Sequence, residues 1–296
     1  MSDTEAAPTF KLYKYDPSFI AALAAAALFG ITSLLHIWQL SKNKTWYFIP
    51  FVIGGLFETV GYVGRIMSSK QESGEWTLMP YIMQSLLILL GPSLLAASIY
   101  MVLGRIIRIT GGEALSPVRV NWLTKIFVVG DVFSFLMQSS GGGMLAQADS
   151  KDKVDLGENI IVGGLIVQIL FFSLFGTVAG IFHMRISRHP TTISKSLTVP
   201  WQRELMVLYG SSLLILIRSV YRVLEYIQGS DGVLMKTEAY MYVFDAAFIF
   251  IAMALFNIWH PSRVTNSAKE YTPFDEESQS IAMQPPSPYN GRNTGY

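Results

Sequence analysis

No cysteine occurs in the 296-residue chain, which excludes disulfides, thiolate metal sites and cysteine nucleophiles and leaves the redox compartment unread. Charge is nearly as scarce. Asp, Glu, Lys and Arg make up 15% of the residues, against roughly 25% in soluble domains. The net charge of +1 and the lack of any basic stripe interleaved with aromatics argue against a nucleic-acid partner. No Gly-Lys pair occurs, so a P-loop is ruled out. The four histidines show neither H-E-x-x-H nor H-x-x-x-H spacing. His36, His183 and His260 fall at one level of the bundle, as the ligands of a seven-helix zinc hydrolase would. Each also sits at a helix C-terminus, where an imidazole favours the negative end of the macrodipole. No metal, no cofactor and no enzymatic chemistry are expected.

What is abundant is apolar. Hydrophobic residues reach 51% and come in long blocks, each able to cross a hydrocarbon core of about 30 Å. Seven spans are expected, at about 17–40, 46–66, 78–104, 122–144, 159–182, 204–227 and 238–259. The fold class is all-α: a polytopic membrane protein built as a seven-transmembrane-helix bundle over residues 17–262, in which short connections make successive helices antiparallel neighbours. Residues 1–16 lack a basic n-region and a small-residue cleavage site, so they are read as a short extracellular N-terminus rather than a signal peptide. Residues 263–296 are rich in Ser, Pro and Asn without apolar periodicity and are read as a disordered cytoplasmic tail.

Orientation follows from Lys and Arg in short loops. The connections after spans one, three and five hold nine: Lys42, Lys44, Arg105, Arg108, Arg119, Arg185, Arg188, Lys195 and Arg203. The other three hold Lys70, Lys151, Lys153 and Lys236. The N-terminus is therefore expected outside and the C-terminus in the cytoplasm. A reporter fused after residue 270 should respond as cytoplasmic, and protease attack on the tail from outside intact cells would overturn the orientation.

Against this apolar background the charged residues inside the spans stand out, because one Arg or Asp at the centre of an inserted helix costs about 2.5 kcal/mol or more. Glu58, Tyr62 and Arg65 repeat at i, i+4 and i+7 on span two, and Arg218, Arg222 and Glu225 do the same on span six, so each trio shares one face. Span three carries Gln84, Gly91, Ser98 and Arg105 at intervals of seven, with Pro92 beside the glycine. Span four carries Asp131 and Gln138, span five Gln168, and span seven Glu238 and Asp245. At about 1.5 Å of rise per residue, Glu58 falls near mid-membrane and Asp131 slightly to its inner side. Arg65, Gln138, Arg218, Arg222, Glu225, Glu238 and Asp245 fall from mid-depth toward the outer face. The expected candidate site is one polar, outward-leaning cavity lined by Glu58, Tyr62, Arg65, Asp131, Gln138, Arg218, Arg222, Glu225, Glu238 and Asp245. Structural ion pairs would use the same residue types, but Glu58, Asp131, Glu225 and Asp245 outnumber Arg65, Arg218 and Arg222, and an unpaired buried charge is costly.

The segments FETVGYVGR (57–65), GPSLLAASIYMVLGRIIR (91–108), GDVFSFLMQSSGGG (130–143), LLILIRSVYRVLEYIQGSDGVL, EAYMYVFD and NIWHP resemble the fungal lipid-translocating exporter, or RTA-like, family over about residues 17–262. The resemblance implies a seven-helix protein of the plasma membrane or an internal membrane, tied to export of sphingoid long-chain bases, phospholipid asymmetry, resistance to amphiphilic toxins and, in one branch, porphyrin traffic. Its partners would be membrane lipids and an amphiphilic small-molecule substrate. The acids would attract a cationic amine. Arg65, Arg218 and Arg222 would hold those acids ionised, or meet a phosphate. Neutral amides at Glu58 and Asp245 are both expected to leave a folded protein that no longer handles such an amine. The alternative is a seven-helix receptor or sensor that regulates the lipid response without transporting.

Overall fold

The computed structural model describes residues 13, 15–73, 75–147, 150–197, 200–228 and 232–262. Seven helices are long and apolar enough to cross a membrane: Phe19–Asn43, Trp46–Ser69, Leu78–Ile109, Val120–Leu145, Lys151–Arg188, Trp201–Ile227 and Glu238–Ile258. The chain is an all-α integral membrane protein, and no strand occurs among the described residues. The expected tail, 263–296, lies outside them.

Local chemistry explains the boundaries. Ser18 caps span one, its Oγ accepting from Ala21 N at 3.4 Å, one of the orphan donors that every helix start leaves. The same helix ends where Lys44 turns left-handed at φ 54° and returns its N–H to Leu40 O. Span five runs from Lys151 to Arg188, starting eight residues before its apolar block. Lys151, Asp152, Lys153, Asp155 and Glu158 occupy those added turns, where Lys and Glu are good helix formers and the acids near the start complement the positive end of the helix dipole. A five-residue helix, Thr192–Ser196, follows it. Its cap Thr191 donates from Oγ1 to Thr110 O at 2.5 Å, tying the connection after span five to the end of span three.

Between helices in lipid there is no hydrophobic drive, so close van der Waals approach holds them. Spans two and three meet through glycine. A Cβ at Gly54 would lie 2.7 Å from Gly91 O, and one at Gly61 would lie 2.7 Å from Ile88 Cγ1. Seven residues separate Gly54 from Gly61, so a smooth strip of span two lies along the middle of span three. At the end of the bundle away from the N-terminus, Phe48, Phe51, Phe256 and His36 pack ring on ring, with Phe48 and Phe51 stacked at 4.4 Å. A second aromatic group, Tyr100, Phe127, Phe172 and Phe175, fills the space among spans three, four and five. Polar side chains gather on the other side of mid-depth, toward the end that carries the N-terminus.

Candidate polar site

Two backbone irregularities build the centre of this region. Proline lacks the N–H that would close the turn onto the carbonyl four residues back, so Pro92 leaves Ile88 O unclaimed inside span three. Arg218 Nη2 donates to that carbonyl at 3.0 Å. On span seven the turn Tyr242–Ala246 is a π-helix, a form found mostly as single-turn bulges inside α-helices and often at functional sites. It contains Asp245 and sets it against span six. Arg218 Nε reaches Asp245 Oδ1 at 2.5 Å, and Arg222 Nη2 pairs with the other oxygen, Oδ2. Arg222 Nη1 also meets Glu225 Oε2 at 2.9 Å, and Tyr221 OH donates to Glu225 Oε1 at 3.3 Å. Arg218 and Asp245 are completely buried.

Glu58 lies beside this network, under Gly91, where a Cβ would stand 2.6 Å from its Oε1. It is 1% exposed, and Oε1 meets no hydrogen-bond donor among the described residues. Tyr62, one turn on, is buried between rings, stacked on Phe29 at 5.4 Å and on Tyr242 at 6.1 Å. Its hydroxyl also lacks a partner among the described residues.

A second tier lies nearer the N-terminal end. Arg65, 1% exposed, donates from Nη2 to Glu238 Oε1 at 2.7 Å and to Tyr15 OH at 2.8 Å, and from Nε to Tyr242 OH at 3.1 Å. Ser18 N donates to both Glu238 oxygens, at 3.0 and 3.1 Å. Tyr13 OH lies 3.0 Å from Ser68 Oγ and 2.9 Å from Gln84 Oε1. Burial raises the phenol pKa of Tyr13 and of Tyr15, so both hydroxyls stay neutral at physiological pH. Tyr13, Tyr15, Arg65 and Gln84 of this tier border a cavity of about 110 Å³ whose wall also includes Arg222 and Glu225. A drug-sized pocket is roughly 300 Å³ or more, so this one fits a head group rather than a whole amphiphile.

Spans two, six and seven thus bring Glu58, Tyr62, Arg65, Arg218, Arg222, Glu225, Glu238 and Asp245 together. Span four does not join them. Asp131 accepts from Tyr100 OH at 2.9 Å, and Gln138 donates to Ser134 Oγ at 2.6 Å and Gln168 Oε1 at 3.1 Å. Both are held among spans three, four and five, because the face of span four that carries them packs there. Nor do all the others border the cavity. Arg65, Arg222 and Glu225 do, whereas Glu58, Arg218 and Asp245 lie behind its wall. Sequence reasoning missed Tyr13, Tyr15, Tyr81 and Tyr226 as wall residues, since an isolated tyrosine near a span end reads as an interface anchor. Gln84 had a signal, its place on the polar edge of span three. Among the described residues no group of three or more His, Asp or Glu could hold a metal ion.

A family model described as RTA1 like protein matches residues 51–268. The chain belongs to the RTA1-like family. Among RTA1-like relatives, protoporphyrin uptake protein 1 of Saccharomyces cerevisiae is 33% identical, covering 87% of this chain and 94% of that protein. The probable lipid transporter atnI of Emericella nidulans is 30% identical over 86% of this chain and 68% of its own. The sphingoid long-chain base transporter RSB1 of S. cerevisiae is 25% identical over 83% and 72%. No solved structure matches the chain.

Proposed function

We propose that this RTA1-like protein translocates an amphiphile with a cationic or zwitterionic head, of the sphingoid-base or phospholipid kind, across its membrane. The observation that carries the reading is the meeting of two unlike spaces at Tyr242. Its hydroxyl accepts from Arg65 at the polar cavity. Its ring borders an apolar groove of about 320 Å³ between spans one and seven, with Ala21, Ala24, Leu28, Ala246 and Phe250. A polar cavity of head-group size beside a chain-lined groove fits a molecule with a polar head and a hydrocarbon tail. In the cavity wall and the layer behind it, Glu58, Glu225, Glu238 and Asp245 stand with Arg65, Arg218 and Arg222. One carboxylate is therefore in surplus, and an ammonium would balance it. The names of atnI and RSB1, a lipid transporter and a sphingoid-base transporter, support the same reading.

Purified protein in liposomes is expected to speed the transbilayer movement of a labelled long-chain amine several-fold over protein-free vesicles. Equal rates in the two preparations would overturn translocation. Saturable binding of the amine without movement would leave a sensor.

A further inference from the structure

The N-terminal residues before span one are held down more firmly than a short polar leader needs. Tyr13 is buried, with its ring edge-on to Trp76 at 5.2 Å and to Tyr81 at 5.3 Å. Its hydroxyl reaches spans two and three through Ser68 and Gln84. Tyr15 OH accepts a hydrogen bond from Arg65 Nη2, and Ser18 N donates to both oxygens of Glu238. Asp16 accepts from Ser73 Oγ at 2.7 Å in the connection between spans two and three. One short stretch therefore touches spans two, three and seven and the loop between two of them. Tyr13 and Tyr15 themselves form part of the cavity wall. Arg65 and Glu238, the charged pair nearest this end, are both engaged by the stretch.

We propose that Tyr13 and residues 15–18 form an autoinhibitory strap, which covers the N-terminal mouth of the cavity and occupies Arg65 and Glu238 until it is displaced. Its ties are hydrogen bonds and ring contacts rather than a deep apolar plug. Each such bond has a modest net worth, so the strap can open locally without the bundle unfolding. Span one begins at Phe19, so Tyr13 and residues 15–18 can swing away with the loss of little more than the cap, the long 3.4 Å bond from Ala21 N to Ser18 Oγ. The strap stands on geometry alone. Its consequence for transport rests on the translocation reading above.

The cysteine-free chain makes the test direct. Ser85 lines the cavity, and Ser85→Cys reports entry by a water-soluble thiol reagent. In Tyr13→Phe/Tyr15→Phe, which keeps the rings and loses the hydroxyls' bonds to Ser68, Gln84 and Arg65, labelling of Ser85→Cys should rise about tenfold or more, the effect of losing three hydrogen bonds of modest net worth. Tyr13→Ala/Tyr15→Ala should raise it further. A separate Asp16→Cys/Ser73→Cys pair, joined by a short methanethiosulfonate cross-linker, should stop amine movement in liposomes, and reducing agent should restore it. Equal labelling in all three strap backgrounds, or full movement with the cross-link closed, would overturn the strap. Faster labelling in a protein that moves no lipid would keep the strap and remove the translocation reading. If the alanine pair fails to fold, the phenylalanine pair and the cross-link still decide.

Discussion

Asp245→Asn is expected to cost about 3 to 5 kcal/mol of stability, the usual effect of removing one partner of a buried ion pair. Asp245 is the shared acceptor of Arg218 and Arg222. With an amide in its place, Arg218 would keep only the Ile88 carbonyl, and two guanidinium groups would face each other with half their counter-charge gone. The result should appear as loss of a monodisperse peak and a lowered thermal midpoint in detergent. A midpoint unchanged within experimental error would show that the pair does not brace the bundle. Replacing the buried pair with apolar residues of similar size is often neutral or better. Arg218→Met/Asp245→Leu should therefore recover much of the fold, since Arg222 keeps Glu225. A cycle of single and double changes would isolate the coupling.

That outcome reverses the expectation from the sequence that the amide at Asp245 folds as well as the one at Glu58, and it separates two residues that look alike in the sequence. The periodicity of spans two and six is enough to put Glu58, Tyr62 and Arg65 on one face and Arg218, Arg222 and Glu225 on another, because a helix returns to the same side every seven residues. Hydropathy alone places the seven spans to within a few residues, apart from the polar extension of span five. What periodicity cannot carry is departure from the α-helix. The π-turn Tyr242–Ala246 shifts Asp245 off the position that a regular helix from Glu238 would give it. The partner of Arg218, a carbonyl released by Pro92, is a backbone group with no trace in residue type. Asp131 and Gln138 show the opposite failure. Their depth is legible, but depth does not say which neighbour a helix face turns to. The polar edge of span four turns to Tyr100 and Gln168. Tyr13 and Tyr15 were invisible for another reason: a short polar segment before a span has no period, and only the fold shows what it lies on.

Glu58→Gln should leave the fold intact and disable the movement of a cationic amphiphile. Oε1 of Glu58 has no hydrogen bond to lose among the described residues, and the amide has nearly the same shape under Gly91. The stability change should therefore stay within about 1 kcal/mol, the size of one ordinary hydrogen bond. The charge is a different matter. Asp245 is shared by two arginines, Glu225 is held by Arg222, and Glu238 by Arg65. Glu58 is the acid left over; it lies behind the cavity wall with no donor for Oε1 among the described residues, so it would ionise and balance an ammonium only once the wall opens to the incoming amine. A hydrogen bond to a charged group is worth about 1.5 to 3 kcal/mol. Removing the group that can ionise should thus slow movement of a long-chain amine in liposomes by roughly ten- to a hundredfold, with a smaller effect on a neutral long-chain alcohol. Glu58→Asp, which keeps the charge on a shorter stem, should retain more activity than the amide. Equal slowing of amine and alcohol would mean that Glu58 acts through shape rather than charge. Unchanged movement of both would take Glu58 out of the mechanism, and a collapsed fold would place it with Asp245 as a brace.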